Sequence, residues 1–394
     1  MASVVEHARN GATARRRVEF PVVELRGTPR EIGRQLGEAR RTSVRQMLAE
    51  VKSNLIDARV PFGTGLTEAA LIDEIRRYLV LLETRAAAVA EELRGIAEGA
   101  GIALEESYMM QIPFAGCGLL LGTRRWREPT TALNEYLAGT TGGCTTFGVT
   151  KDASRDGKVY LGQTCDFYPN YKAHWSIRRI TPQHGPQILA AAPDGILTWG
   201  NGLNACGLGV EYNLLGYPDA RQGLTPFALG RMMLNQTSIE DAAAIAQSAE
   251  RSSAWNWMLA DAEGAVFDLE TTATRAARLV PQRGVLAHAN CYMASEFALD
   301  DLSVQLLPDS HLRVNRMRQL LELRAGDIDI AYIKDCYEDH LNYPKSICRH
   351  PVEDAPMNEN LDSNILIVSD LEERTLYACP GPVCEHELVR YTLN

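Results

Sequence analysis

The chain has 394 residues, 45% of them hydrophobic and 23% charged, with a formal net charge of −10. These are ordinary values for a globular protein, and the length is enough for one large domain or two ordinary ones. The negative balance argues against nucleic acid or an anionic membrane as the main partner, because both demand a basic face. No stretch reaches the roughly 20 apolar residues of a membrane helix.

The opening MASVVEHARNGATARRR has no apolar core. It reads as a solvated tail rather than a secretory signal or an organelle transit peptide. Thr28-Pro29-Arg30-Glu31 then carries a capping Thr, a Pro at the first helical position and a Glu at the third. The spacing of Ile32, Leu36, Met47, Leu48 and Val51 predicts a helix running on to Ile56. A second helical pattern runs from Thr67 through Leu71, Ile75, Leu79, Leu82 and Val89 to Ile96, stopped by Gly99 and Gly101. Residues 123–143, TRRWREPTTALNEYLAGTTGG, are polar and rich in Gly and Thr, and read as an exposed loop.

At Cys144 the texture changes. CTTFGVT, KVYLGQTCDF, HWSIRRI, PQILAAA and GLGVEYNLL are short β-branched or aromatic runs punctuated by Gly, Asp and Pro. Asp156-Gly157 in KDASRDGK is the expected turn pair of a hairpin. Thr225-Pro226 and Ser238-Ile239-Glu240-Asp241 open two helices. AWNWMLAD, GAVFDLET and RAARLV read as strands, residues 310–323 as a helix, and SNILIVSDLEERTLYACP as strand, turn and strand. Helices, strands, helices, strands, helix and strands in that order predict a layered α+β fold rather than alternating βαβ units.

The nine cysteines are Cys117, Cys144, Cys165, Cys206, Cys291, Cys336, Cys348, Cys379 and Cys384. An odd number in a long chain without a signal points to free thiols in a reducing cytoplasm. No GxGxxG or GxxxxGK[ST] run occurs, so no cofactor is expected. Cys348-Arg349-His350 and Cys379…Cys384-Glu385-His386 raise a metal reading. Their spacing fits no paired C-x2-C pattern, and core thiols with surface histidines are expected instead.

Gly143-Cys144 sits where the Gly-rich loop meets the first strand. A thiol that cuts its own chain must reach the carbonyl before it, and Gly leaves that carbonyl unencumbered. Once freed, Cys144 would carry its own base. An α-amino group with a pKa of about 8 can take the proton of a thiol near 8.5, with no histidine needed. The plain alternative is a buried strand cysteine after a loop.

Cys144-Thr145-Thr146, followed by Gly162-Gln163-Thr164-Cys165-Asp166-Phe167, resembles the isopenicillin N acyltransferase family of N-terminal-nucleophile proteins. Leu25-Arg26-Gly27-Thr28-Pro29-Arg30-Glu31-Ile32-Gly33 resembles that family's N-terminal opening, and Ser346-Ile347-Cys348-Arg349 a late motif. The resemblance implies a four-layer αββα sandwich with a helical N-terminal segment. It also implies self-cleavage into a small chain, residues 1–143, and a larger catalytic chain, residues 144–394, which stay associated.

It further implies Cys144 as nucleophile, Asp166 as its orienting carboxylate, and Arg349 as a site arginine paired with Asp166 or with the substrate. Asn290 in Ala287-His288-Ala289-Asn290 matches the family's oxyanion asparagine. Asn204 resembles a second oxyanion asparagine of the bile-salt hydrolase branch. Gln163 stands where that branch carries Arg, which sides with the penicillin-acyltransferase branch. Two glycines precede Cys144, where many members carry Asp.

The implied partner is a small amide or acyl substrate. Hydrolysis of an N-acyl or aminoacyl amide is the first expectation, and transfer of an acyl group to an amine the second. A CoA donor would want a basic site, for which Arg178-Arg179 and Arg313-Arg316 are candidates, although they read as solvated faces. A catalytically silent scaffold is the remaining class.

Overall fold

A computed structural model describes residues 15–57, 65–112, 143–198, 201–303, 307–352, 355 and 360–393. The loop expected over 123–143 lies outside them except for Gly143.

Strand β1 (Val22–Gly27) leads into α1 (Pro29–Ala39). The expected capping box is present: Thr28 Oγ1 accepts from the Glu31 amide at 3.3 Å, and Glu31 Oε2 accepts from the Thr28 amide at 2.8 Å. The single helix expected to Ile56 breaks at Arg40, which leaves helical geometry and turns its side chain to the buried Asp194 carboxylate at 2.7 Å. It resumes as α2 (Arg41–Ile56). The second expected helix likewise divides at Ala86 into α3 (Glu68–Arg85) and α4 (Ala87–Ala100), with Gly101 closing α4 at φ +68°. A short α5 (Leu104–Met109) follows.

Helices α1 and α4 touch backbone to backbone. A Cβ on Gly33 would lie 1.9 Å from the Glu92 carbonyl oxygen, and one on Gly95 2.1 Å from that of Arg30.

The remaining elements are β2 (Gly143–Val149), β3 (Tyr160–Phe167), β4 (Trp175–Pro182), β5 (Ile188–Pro193), β6 (Asn201–Asn204), β7 (Leu208–Leu214), α6 (Pro226–Met233) and α7 (Ile239–Ser248). After them come β8 (Trp255–Asp261), β9 (Val266–Thr271), β10 (Ala276–Leu279), β11 (Val285–His288), α8 (Ser310–Leu323), α9 (Ile330–Tyr337), β12 (Asp362–Asp370), β13 (Thr375–Pro380) and β14 (Val389–Thr392). The short strands β1, β6, β11 and β14 carry too little pattern to stand out in the sequence. The β2–β3 connection spans 150–159 rather than a two-residue turn, with Gly157 at φ +70° and Ser154 bridged to Ile328.

Two sheets result. One has eight strands in the order β1-β4-β5-β6-β7-β8-β9-β10, antiparallel except for the parallel β1–β4 pair. The other has six, β11-β2-β3-β12-β13-β14, all antiparallel. Strands β2 and β3 pack face to face on β7 and β8. Helices α1 and α7 lie against the larger sheet, with α4 and α6 packed on them, and α8 covers β11 and β2. This is the expected α+β sandwich in αββα layers.

Phe147 and Val149 join Val314, Met317 and Leu321 in a core between the smaller sheet and α8. A larger core fills the space between the sheets and beneath the other helices. No helix among the described residues is long and apolar enough to cross a membrane, and no disulfide joins the eight described cysteines.

Candidate active site

Strand alternation decides which groups meet at the start of β2. Cys144 pairs with Cys165 and Thr146 with Gln163, and these side chains face the eight-stranded sheet. Gly143 pairs with Asp166, and Thr145 lies on the same face, toward α8.

On the α8 face four buried charged groups close around Gly143. Arg313 Nε donates to Asp309 Oδ2 at 2.7 Å, one helical turn back. Its Nη1 donates to the Cys144 carbonyl at 2.6 Å and to Thr145 Oγ1 at 2.9 Å. Arg349 donates to the same Asp309 oxygen and stands 3.8 Å from Asp166 Oδ2. Two cations thus face two anions, but unequally. Burial alone would raise Asp309, yet Arg313 and Arg349 outweigh it and hold the carboxyl at about 2. Burial raises Asp166 to about 6 despite Arg349, Arg313 and the Ser363 hydroxyl, which donates at 2.8 Å. Asp166 Oδ2 is buried without a hydrogen-bond donor. A Cβ on Gly143 would lie 3.2 Å from that oxygen, 3.3 Å from Arg313 Nη2 and 3.5 Å from Arg349 Nη2. The peptide at Gly143-Cys144 therefore passes directly over the cluster.

The Cys144 amide donates to Asn290 Oδ1 at 2.8 Å, while Asn290 Nδ2 donates to the Leu214 carbonyl at 3.0 Å. Asn290 thus presents an acceptor to Cys144, not the amide donor expected of an oxyanion group. A free amide donor lies elsewhere on the inner face. Asn213 Oδ1 accepts from Thr146 Oγ1 at 2.5 Å, and its Nδ2 is buried without an acceptor. The clue was present in β7, where apolar Leu208, Val210, Tyr212 and Leu214 alternate with Gly209, Glu211 and Asn213, all buried. Such an alternation marks a strand with one polar inner face.

That face continues beyond Asn213. Burial pushes the Glu211 carboxyl well up, Cys144 adding to it. His288, paired in register with Thr146, holds Glu270 at 2.7 Å and Asp268 at 3.6 Å through Nε2. Burial would lower this histidine, but the two carboxylates outweigh it and hold it at about 9. It is therefore cationic at neutral pH, and Nδ1 donates to the Ala289 carbonyl at 2.6 Å.

Cys144, Asp166, Asn290 and Arg349 are brought together; Asn204 is not among them. Its Nδ2 donates to the Leu234 and Gln236 carbonyls, and its Oδ1 accepts from the Cys206 and Leu208 amides. Leu208 is at the opposite end of β7 from Leu214, roughly 20 Å along the strand at ~3.3 Å per residue. Asp309 and Arg313 belong to the cluster and were missed as site residues.

The arginines read as solvated faces are engaged internally. Arg178 is buried against the Pro193, Ile196 and Leu197 carbonyls, and Arg179 binds Glu24 and the Thr392 carbonyl. Arg313 is in the cluster, and Arg316 binds Asp339.

The family model described as acyl-coenzyme A:6-aminopenicillanic acid acyl-transferase matches residues 153–381, more than half of the chain. The match begins past Cys144 and contains Asp166, Asn213, Asn290, Asp309, Arg313 and Arg349. No curated protein matches. Solved structures with some likeness include a mutant conjugated bile acid hydrolase from Clostridium perfringens, 14% identical, covering 63% of this chain and 97% of its own at a TM-score of 0.42. Penicillin V acylase from Agrobacterium tumefaciens is 15% identical, covering 60% and 83% at 0.40. A Caenorhabditis elegans N-acylethanolamine-hydrolyzing acid amidase ortholog is 12% identical, covering 64% and 100% at 0.41.

Proposed function

We propose that this chain, which belongs to the acyl-coenzyme A:6-aminopenicillanic acid acyl-transferase family, cleaves itself before Cys144 and then hydrolyses a linear amide of a small N-acyl or aminoacyl substrate. The observation that carries the reading is the Gly143-Cys144 peptide itself. Its N–H is held by Asn290 Oδ1, and its glycine lies against an under-satisfied Asp166 oxygen.

In self-processing the Cys144 thiol adds to the Gly143 carbonyl. The C–N bond breaks, the leaving nitrogen takes the proton, and a thioester remains. Water then hydrolyses the thioester, giving a Gly143 carboxylate and a free thiol. Residues 1–143 become the small chain and 144–394 the large one. The new Cys144 amine already has an acceptor in Asn290. Removal of Gly143 from above the cluster lets its ammonium form approach Asp166 Oδ2, which supplies the hydrogen-bond donor that oxygen lacks.

In turnover the neutral amine takes the thiol proton, and the thiolate attacks the substrate amide carbonyl. Asn213 Nδ2 is the inner-face donor available to the oxyanion. The protonated amine passes its proton to the leaving nitrogen, and water releases the acyl group.

Acyl transfer to an amine is the second reading, since it shares the acyl-enzyme. Hydrolysis is preferred because the arginine pairs suited to CoA phosphates are already committed to internal partners. Cysteines without disulfides suit a reducing cytoplasm.

The test is a denaturing gel with intact mass on wild type and Cys144→Ala, alongside hydrolysis of N-acyl amino acids and aminoacyl amides. Wild type should be two chains and active, the variant whole and inactive. Full activity in an uncut wild-type chain would overturn the mechanism.

A further inference from the structure

The geometry points to a structural zinc site formed by His340, Cys348, His350 and Cys384, on the far side of the loop that delivers Arg349. It stands independently of the chemistry assigned to Cys144.

The four residues come from three places in the chain. His340 follows α9, Cys348 and His350 flank Arg349, and Cys384 lies in the short turn Val383–Glu385 after β13. Backbone bonds fold the 339–350 loop onto itself. The Cys348 amide donates to the Asp339 carbonyl at 3.0 Å, that of Tyr343 to His340 at 3.0 Å, and that of His350 to Pro344 at 3.2 Å.

The ligand atoms all lie within 4.8 Å of one another. His340 Nε2 and His350 Nε2 are 3.0 Å apart, and His350 Nε2 is 3.6 Å from Cys348 Sγ and 3.4 Å from Cys384 Sγ. A tetrahedral zinc with bonds of about 2.3 Å to sulfur and 2.0–2.1 Å to nitrogen has N···N edges of about 3.3 Å and S···N edges of about 3.6 Å. The three separations from His350 Nε2 fall within a few tenths of an ångström of these, and the widest spacing in the set, up to 4.8 Å, would draw in on metal binding.

Hydrogen bonding accounts for the cluster poorly. One ring nitrogen offers either one N–H or one lone pair, yet His350 Nε2 faces three heteroatoms at once. A cation at their centre gives each lone pair a partner. Two thiolates and two imidazoles select zinc among common divalent ions. Four protein ligands leave no open position, which marks a structural site rather than a catalytic one.

The metal would tie the turn after β13 to the 339–350 loop, and so fix the backbone from which Arg349 reaches Asp309 and Asp166. The C-terminal Cys/His motifs of the sequence also contain Cys379 and His386. Cys379 is buried, and His386 Nδ1 contacts the Pro382 carbonyl; neither is in the cluster. His340, eight residues before Cys348, was the missing ligand.

The test is metal analysis of the full chain, dialysed against zinc chloride under reducing conditions and desalted. Wild type should hold about one zinc per chain. His340→Ala and Cys384→Ser should each weaken zinc binding on the order of 100-fold or more in competition with a chromophoric chelator. Cys206→Ser, which alters an exposed thiol outside the cluster, should bind as wild type does. His340 is exposed, so its removal spares the core, and circular dichroism checks the fold. The proposal is overturned by wild type holding less than about a tenth of a zinc per chain, by zinc content unchanged in both variants, or by a Cys348–Cys384 disulfide in peptide mass mapping.

Discussion

Asp166→Asn in an uncleavable Cys144→Ala chain isolates the electrostatic state of the precursor. The folded Asp166 carboxyl titrates at about 6, against about 3.9 in an unfolded chain. Between those values the folded chain holds a proton that the unfolded chain has lost, so stability falls as pH rises from about 4 to about 6. A shift of about two units at 1.36 kcal/mol each gives a cost of about 3 kcal/mol above that window. Asn mimics the protonated acid and escapes this cost. Asp309 is held at about 2 and stays ionised throughout. Asp268, also near 6, is common to both chains and cancels in the difference.

Urea unfolding from pH 4 to pH 8 should therefore show the two chains alike at pH 4. The Asn variant should become more stable by up to about 3 kcal/mol at pH 7.5. In a chain that keeps Cys144, the same substitution should slow self-cleavage. A variant less stable than its parent at pH 7.5, or a difference that ignores pH, would refute the claim that Asp166 is held in tension beside Gly143.

Asn290→Ala removes the acceptor of the Cys144 amide; leaving a buried donor unpaired should slow self-cleavage about 10- to 100-fold, read by gel time course. Asn213→Ala removes a donor with no other partner; it should lower kcat of the processed enzyme by about 10²–10³ with KM little changed. Asn204→Ala loses four hydrogen bonds remote from Cys144. At about 0.5–1.5 kcal/mol each, it should cost several kcal/mol in urea unfolding while leaving kcat within about twofold.

Local signals carried the architecture well. The Thr28 capping box, the helix over 310–323 and the change of texture at Cys144 depend on near neighbours in sequence, and each appears in place. The helix breaks at Arg40 and Ala86 follow no Gly or Pro, so no local residue announced them. Strand β1 exists because it pairs in parallel with β4, about 150 residues later, which no local pattern encodes.

The site divides along the same line. Cys144 and Asp166 lie on paired strands with the texture of a strand, and the resemblance pointed to both. Asp309 and Arg313 look like an ordinary i, i+4 pair at a helix start, and only folding brings them over Gly143. Asn204 sits in a turn-like sequence, and its four bonds show a structural duty that sequence could not separate from a catalytic one.

Self-processing turns on one peptide bond, and N-terminal sequencing with intact mass of the purified wild-type protein reads its fate. Two associated chains are expected, the larger beginning Cys-Thr-Thr-Phe, and a single chain for Cys144→Ala. An intact wild-type chain that turns over an amide substrate, or a large chain beginning at any other residue, would contradict it.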